Sequence, residues 1–122
     1  MFEVAYRTTF CAMHRLMRDG QPLEPPHGHD WQVEAVAGRA TLDAAGMVVD
    51  FEVLKGALGE VVARLHHGDL NQQPALAGQS PSAEAVARHV FEQVRKGMGA
   101  EGRYLLRVRV WEAPGCSASY QE

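Results

Sequence analysis

The sequence predicts an α+β fold, an antiparallel sheet carrying two helices on one face, and three observations lead there. Alternating apolar and polar residues mark strands toward both ends of the chain. Apolar residues three and four apart mark two helices between them. The resulting order, ββααββ with adjacent strand pairs, favours antiparallel hairpin pairing over crossover connections. A length of 122 residues sets the expectation of one domain spanning residues 1–122.

From Phe2 to His14 the even positions are Phe2, Val4, Tyr6, Thr8, Phe10, Ala12 and His14, while the odd ones include Glu3, Arg7 and Thr9. That is a strand with its even face buried. The following DGQPLEPPHG is rich in Pro and Gly and reads as a loop. A second strand is predicted from His29 to Ala37, with Trp31, Val33 and Ala35 inward and Gln32 and Glu34 outward. A turn at Asp43–Gly46 follows. Asp50 is the expected N-cap of a helix whose inward residues are Phe51, Leu54, Leu58, Val61, Val62 and Leu65. The second helix is predicted to open with Ser80 as N-cap and Pro81 at its first position, to bury Val86, Val90, Phe91 and Val94, and to stop at Gly97. A third strand from Arg103 to Glu112 turns Tyr104, Leu106, Val108 and Val110 inward, and Ser117–Tyr120 makes a short fourth.

Composition narrows the function. Fifteen acidic against twelve basic residues leave a net charge of −3, too little for the field of the chain to bind nucleic acid or acidic lipid. The start, MFEVAYRTTF, lacks the apolar core of a signal peptide, and no apolar run nears the ~20 residues of a membrane span. The expected setting is soluble and cytoplasmic. Six histidines stand beside two cysteines, Cys11 and Cys116, whose separation suggests neither a disulfide framework nor a cysteine metal site.

His27-Gly28-His29 places two imidazoles on one side of an extended backbone, a spacing that suits two ligands of one metal. Alone, such a pair reads equally well as solvated loop histidines. His14, on the buried face of the first strand, tips the balance, because neighbouring strands would bring all three together. Three histidines on Zn²⁺ leave a position for water or substrate. Cys11 has odd parity, away from His14, and reads as a small semi-buried residue. Glu112 extends the inward series of the third strand, where a carboxylate is costly unless paired. It is either a frayed strand end in water or an acceptor for adjacent N–H donors of a heterocycle. His66 and His67 end the first helix, where imidazolium is favoured by the helix dipole; the sharper reading is a general acid or base with Asp69 as orienting carboxylate. Arg15 and Arg18 could meet a phosphorylated substrate near the metal, though the plainer reading is a solvated basic turn, and His89 reads as surface.

Together these residues resemble the 6-pyruvoyl-tetrahydropterin synthase and 6-carboxy-tetrahydropterin synthase family. The segments that carry the resemblance are Phe10-Cys11-Ala12-Met13-His14, His27-Gly28-His29, Gly46-Met47-Val48-Val49-Asp50-Phe51 with Leu54-Lys55, Leu65-His66-His67 with Leu70-Asn71, Pro81-Ser82-Ala83-Glu84, and Trp111-Glu112 with Tyr120. The resemblance implies the tunnelling fold, with sheets assembling into a barrel in a homohexamer of two trimers and active sites between subunits. It implies His14, His27 and His29 as zinc ligands, Glu112 as the anchor of the pterin 2-amino and N3 edge, and 7,8-dihydroneopterin triphosphate as substrate. The family's cysteine base, four residues before the His-Gly-His, is here Leu23, with Glu24 beside it; Glu24 is similar to the glutamate of members that favour retro-aldol cleavage. The family's Asp-His pair is here His66-His67, so His67 keeps the histidine while Asp69 is the nearest carboxylate. The expectation is a zinc-dependent pterin side-chain lyase with Glu24, His67 and Asp69 as catalytic candidates. Two alternatives stand beside it, a 6-carboxy- or 6-pyruvoyl-tetrahydropterin synthase with a substituted base and a zinc- and pterin-binding homologue without chemistry.

Overall fold

The computed structural model describes all 122 residues. In chain order the strands and helices are β1 (Phe2–His14), β2 (Met17–Arg18), β3 (Gln21–Pro22), β4 (His27–Arg39), α1 (Phe51–Leu65), β5 (Gly68–Asp69), α2 (Ala83–Gly97), β6 (Leu105–Ala113) and β7 (Cys116–Gln121), with short 3-10 turns at Leu70–Gln72, Pro74–Leu76 and Gly99–Tyr104. The main sheet has the order β5-β1-β4-β6-β7, and β2 and β3 form a separate small hairpin. β1/β4, β4/β6 and β6/β7 are antiparallel, and only the two-residue β5 runs parallel to β1. Both helices lie on one face, α1 over β1 and α2 over β6 and β7. This is the α+β fold expected from the element order.

The even residues of β1 and the odd residues of β4 share that covered face, because the register sets Phe10 opposite Trp31 and Ala12 opposite His29. Phe10, Trp31, Val33, Ala35 and Ala37 pack there against Leu54, Leu58, Leu65, Val86, Val90, Phe91 and Val94 from the helices. Trp31 is fully buried, stacks on Phe10 at a centroid distance of 5.8 Å, and donates its indole N–H to Ala12 O at 3.3 Å. The other face is polar, with ion pairs Arg7–Glu34 at 3.1 Å and Arg107–Glu3 at 3.3 Å.

Three boundaries and the facing of one residue differ from the sequence reading. β4 begins two residues earlier, at His27, so the His-Gly-His lies in the strand. Phe51 opens α1 yet is 55% exposed, because the helix turns its first residue away from the sheet; Asp50 caps the helix as expected, accepting from Glu52 N–H at 2.8 Å. The N-cap of α2 is Ser82, which accepts from Ala85 N–H at 3.2 Å, and not Ser80. In β6 a bulge opposite Val36 and Ala37 breaks the parity, so Leu105 is buried, Leu106 lies against Gly38, and Tyr104 belongs to the preceding 3-10 turn.

Trp31→Phe removes the donor that satisfies Ala12 O and leaves a small void beside the histidines. It is expected to lower stability by about 1–3 kcal/mol, read as a lower urea midpoint with an unchanged m-value.

Candidate functional site

β1 and β4 run side by side to their ends, where His14 faces His27 directly and Ala12 faces His29. Even parity on β1 and odd parity on β4 put His14, His27 and His29 on the helix-covered face, and Glu112 reaches the same point from β6. The ligand-type atoms of these four side chains all lie within 4.8 Å of one another. An ion with bonds of about 2 Å to imidazole nitrogen and carboxylate oxygen can bridge that span with small side-chain adjustments.

The hydrogen bonds fix the imidazoles for that task. His14 is 1% exposed, and its Nδ1–H donates to Pro81 O at 2.8 Å. His27 Nδ1–H donates to Pro25 O at 3.2 Å. In a neutral ring with Nδ1 protonated, Nε2 presents a bare lone pair. Glu112 Oε1 stands 2.6 Å from His14 Nε2 and 3.3 Å from His29 Nε2, yet both nitrogens are buried without a directed hydrogen bond. Lone pairs facing a carboxylate so closely repel unless a cation sits between them. The residues therefore fit a divalent metal of the kind that accepts imidazole and carboxylate. Burial, the largest influence, holds the His29 pKa below the ordinary histidine value, although Glu112 pulls the other way.

Segment 14–17 is tied down one residue at a time. Pro81 O holds the His14 ring. Asn71 clamps Arg15, accepting from its N–H at 2.9 Å and donating to its carbonyl at 3.0 Å. Glu24 Oε1 accepts from Leu16 N–H at 3.1 Å, and Ser80 Oγ accepts from Met17 N–H at 2.9 Å. Ser80 and Pro81, which look like a helix start in the sequence, thus serve the end of β1 instead. Their signal, a serine-proline pair two residues before a better cap, is visible only once Ser82 is known to be that cap.

Glu24 is brought to the cluster, with Oε1 3.8 Å from His27 Nε2, while Leu23 is 51% exposed. His67 is not brought to the histidine cluster of its own chain. It takes a left-handed backbone with φ 61°, donates its N–H to Cys11 O at 2.7 Å, and stacks on His66. With Cys11, Met13, Asp30 and the cluster residue His29 it lines a cavity of about 440 Å³ at the end of β1 and the start of β4. Asp69 accepts from Asn71 N–H at 2.9 Å as cap of the Leu70–Gln72 turn, so the expected pairing with His67 is not made. The backbone N–H of Cys11 donates to His66 Nδ1 at 3.1 Å, and its thiol donates to Asp30 at 2.7 Å, which raises the thiol pKa. His89 is half-buried rather than fully exposed, and burial lowers its pKa. A second cavity, about 630 Å³, opens beside Glu112 and is lined also by His29, Asp30, Gln32, Trp111 and Pro114.

The model of the 6-pyruvoyl tetrahydropterin synthase family matches residues 3–122. The chain belongs to this family. A protein of Archaeoglobus fulgidus named as a candidate 6-carboxy-5,6,7,8-tetrahydropterin synthase is 31% identical over 110 residues, covering 89% of this chain and 86% of its own. The 6-pyruvoyl tetrahydrobiopterin synthase of Drosophila melanogaster is 30% identical over 130 residues, covering 94% of this chain and 76% of its own. The structure of Caenorhabditis elegans 6-pyruvoyl tetrahydropterin synthase superposes with a TM-score of 0.87 at 23% identity, covering 99% of this chain and 95% of that one. That superposition establishes the fold as the family's own.

The lowered pKa values of His29 and His89 give the metal-free protein a pH dependence of known sign. The unfolded chain takes up protons near the ordinary histidine value of about 6.5, before the folded chain does. The contribution is therefore intact above about 6.5 and is lost as pH falls toward the lowered folded values. Urea midpoints of metal-free protein should be lower at about pH 5.5 than at about pH 8.

Proposed function

We propose that the chain is a zinc-dependent pterin side-chain lyase that cleaves 7,8-dihydroneopterin or its triphosphate by a retro-aldol reaction. The observation that carries the reading is the pair of buried, orphaned Nε2 atoms of His14 and His29 converging on Glu112 beside an open cavity, in a chain of this family. Zinc, held by His14, His27 and His29, would supply Lewis acidity toward the oxygens of the substrate side chain. Glu112 has one oxygen turned to the imidazoles, and its cavity is large enough for a bicyclic heterocycle, whose 2-amino and N3 donors a carboxylate binds in pairs.

Glu24 supports cleavage over elimination of triphosphate. Leucine at position 23 cannot take a proton, whereas the Glu24 carboxylate is fixed next to the cluster by the Leu16 N–H. It is the group suited to accept the proton of the side-chain 2′-hydroxyl. The C1′–C2′ bond then breaks, C2′ leaves as an aldehyde, and its electron pair, delocalised into the ring, is protonated at C1′ to give a 6-hydroxymethyl dihydropterin. His67 lies outside the group of His14, His27, His29 and Glu112, and in a homohexamer of two trimers working in the cytoplasm it would serve the metal of a neighbouring subunit. The relatives, 6-carboxy- and 6-pyruvoyl-tetrahydropterin synthases by name, favour a second reading, 6-carboxy- or 6-pyruvoyl-tetrahydropterin synthesis with Glu24 as substituted base.

Zinc-loaded protein incubated separately with dihydroneopterin triphosphate and dihydroneopterin should release a 6-hydroxymethyl dihydropterin, identified by mass. A 6-carboxy or 6-pyruvoyl product would select the second reading, and pterin binding without any product would leave a binding protein. Glu24→Gln should lower kcat by about 100-fold or more without changing the zinc content. Unchanged turnover would remove Glu24 from the chemistry.

A further inference from the structure

Glu24 sits just after the β2–β3 hairpin, and the two ends of that hairpin meet at Leu16. The Leu16 carbonyl accepts the Leu23 N–H at 2.9 Å, and the Leu16 N–H donates to Glu24 Oε1 at 3.1 Å. The carboxylate held in this way is the one that stands 3.8 Å from His27 Nε2. An isolated two-stranded hairpin is marginally stable in water, and residues 18–23 are exposed, so the hairpin by itself does not fix where Leu16 lies.

The fixing comes from outside, through the two peptide groups that flank the Leu16 α-carbon. A peptide unit is planar and trans, so a bond to its carbonyl orients the N–H on the opposite side, and the reverse. In the Arg15–Leu16 unit, Asn71 Nδ2 donates to the Arg15 carbonyl at 3.0 Å, and the N–H across that plane is the one that binds Glu24. In the Leu16–Met17 unit, Ser80 Oγ accepts from the Met17 N–H at 2.9 Å, and the carbonyl across that plane is the one that binds Leu23. Each such chain of bonds polarises the peptide group between its ends, which strengthens the far bond. The holders have their own footing. Leu70 and Leu76 are buried in the core, Asp69 accepts from the Asn71 N–H at 2.9 Å, and Pro81, next after Ser80, binds the His14 ring.

We propose that Asn71 and Ser80 are positioning residues for the reaction, a clasp that acts through the two peptide planes around Leu16 to hold Glu24 at the histidine cluster. The inference rests on the lyase reading for what Glu24 does there, but not for the clasp itself. Neither side chain has to touch the substrate: each sets the direction of a backbone group, and the backbone sets the carboxylate.

The test compares wild type with Asn71→Ala, Ser80→Ala, Ser80→Thr and, on the exposed side of the same turn, Gln72→Ala. A base misplaced by ~1 Å can cost about 100-fold, so Asn71→Ala and Ser80→Ala should each lower kcat on dihydroneopterin or its triphosphate by about 10-fold or more, with KM and zinc content unchanged. Ser80→Thr, which keeps the hydroxyl, and Gln72→Ala should stay near wild type. Added to Glu24→Gln, Asn71→Ala should cost no more than about 2-fold further, because the group it positions is already gone. An unchanged kcat, a fully additive loss, or a loss that follows zinc content overturns the proposal. In ¹⁵N-labelled protein the Leu16 amide gives a readout that does not depend on turnover. Its proton resonance, carried downfield by the bond to a carboxylate, should move upfield in Glu24→Ala and, in the same direction, in Asn71→Ala and Ser80→Ala. That result supports the clasp even if neither pterin is turned over, an outcome that would overturn only the lyase reading. A Leu16 resonance unmoved by Asn71→Ala and Ser80→Ala overturns the clasp itself.

Discussion

The register between β1 and β4 is the constraint on which the rest of the structure depends. All thirteen residues of β1 are paired with β4, and the apolar series Phe10, Trp31, Val33 and Ala35 locks that pairing by its burial. A slip of one residue would turn every side chain of one strand to the opposite face, so the core could not form in the slipped register. The same register puts His14 opposite His27 and Ala12 opposite His29. Placement of the candidate ligands is therefore a by-product of burying Trp31, and core packing and site geometry are one problem for this chain.

The two faces of the sheet divide the chemistry. On the covered face the imidazoles and Glu112 sit at the margin of an apolar core, where low polarity makes each unpaired lone pair costly and a cation correspondingly welcome. Cys11, Asp30 and His67 share a cavity with Ala12, Met13 and His29, in which Asp30 is the one carboxylate. Gly28, His29 and Asp30 border both this cavity and the one beside Glu112. The start of β4 is thus the rim between two cavities, and a Cβ at Gly28 would meet only open space there.

Much of this was legible in the sequence, because parity is a local property. The alternation of β1 and β4 gave the buried face and with it the convergence of three histidines, and Asp50 announced α1. Glu112 was legible as a carboxylate in an inward series, but its approach to the imidazoles was not, since that depends on how β6 lies beside β4. Long-range contacts were hidden for the same reason. The carbonyl of Pro81 bonds to a ring 67 residues away, and no local pattern distinguishes such a carbonyl from any other. The bulge in β6 reversed the parity of Leu105 and Leu106, and a single extra residue leaves no periodic trace. His67 was readable as a histidine at a helix end, but which side of the sheet it faces is decided by a left-handed backbone that its residue type does not announce.

The bond from His14 to Pro81 joins the metal-type cluster to the lead-in of α2, only one residue before the Ser82 cap. The ring that would hold an ion and the segment that leads into α2 thus share one hydrogen bond. If ion binding steadies the Pro81 carbonyl, reciprocity requires that steadying the carbonyl strengthens ion binding by the same factor. A substitution that displaces the Pro81 carbonyl would therefore alter the hold on an ion from outside the set of ligands.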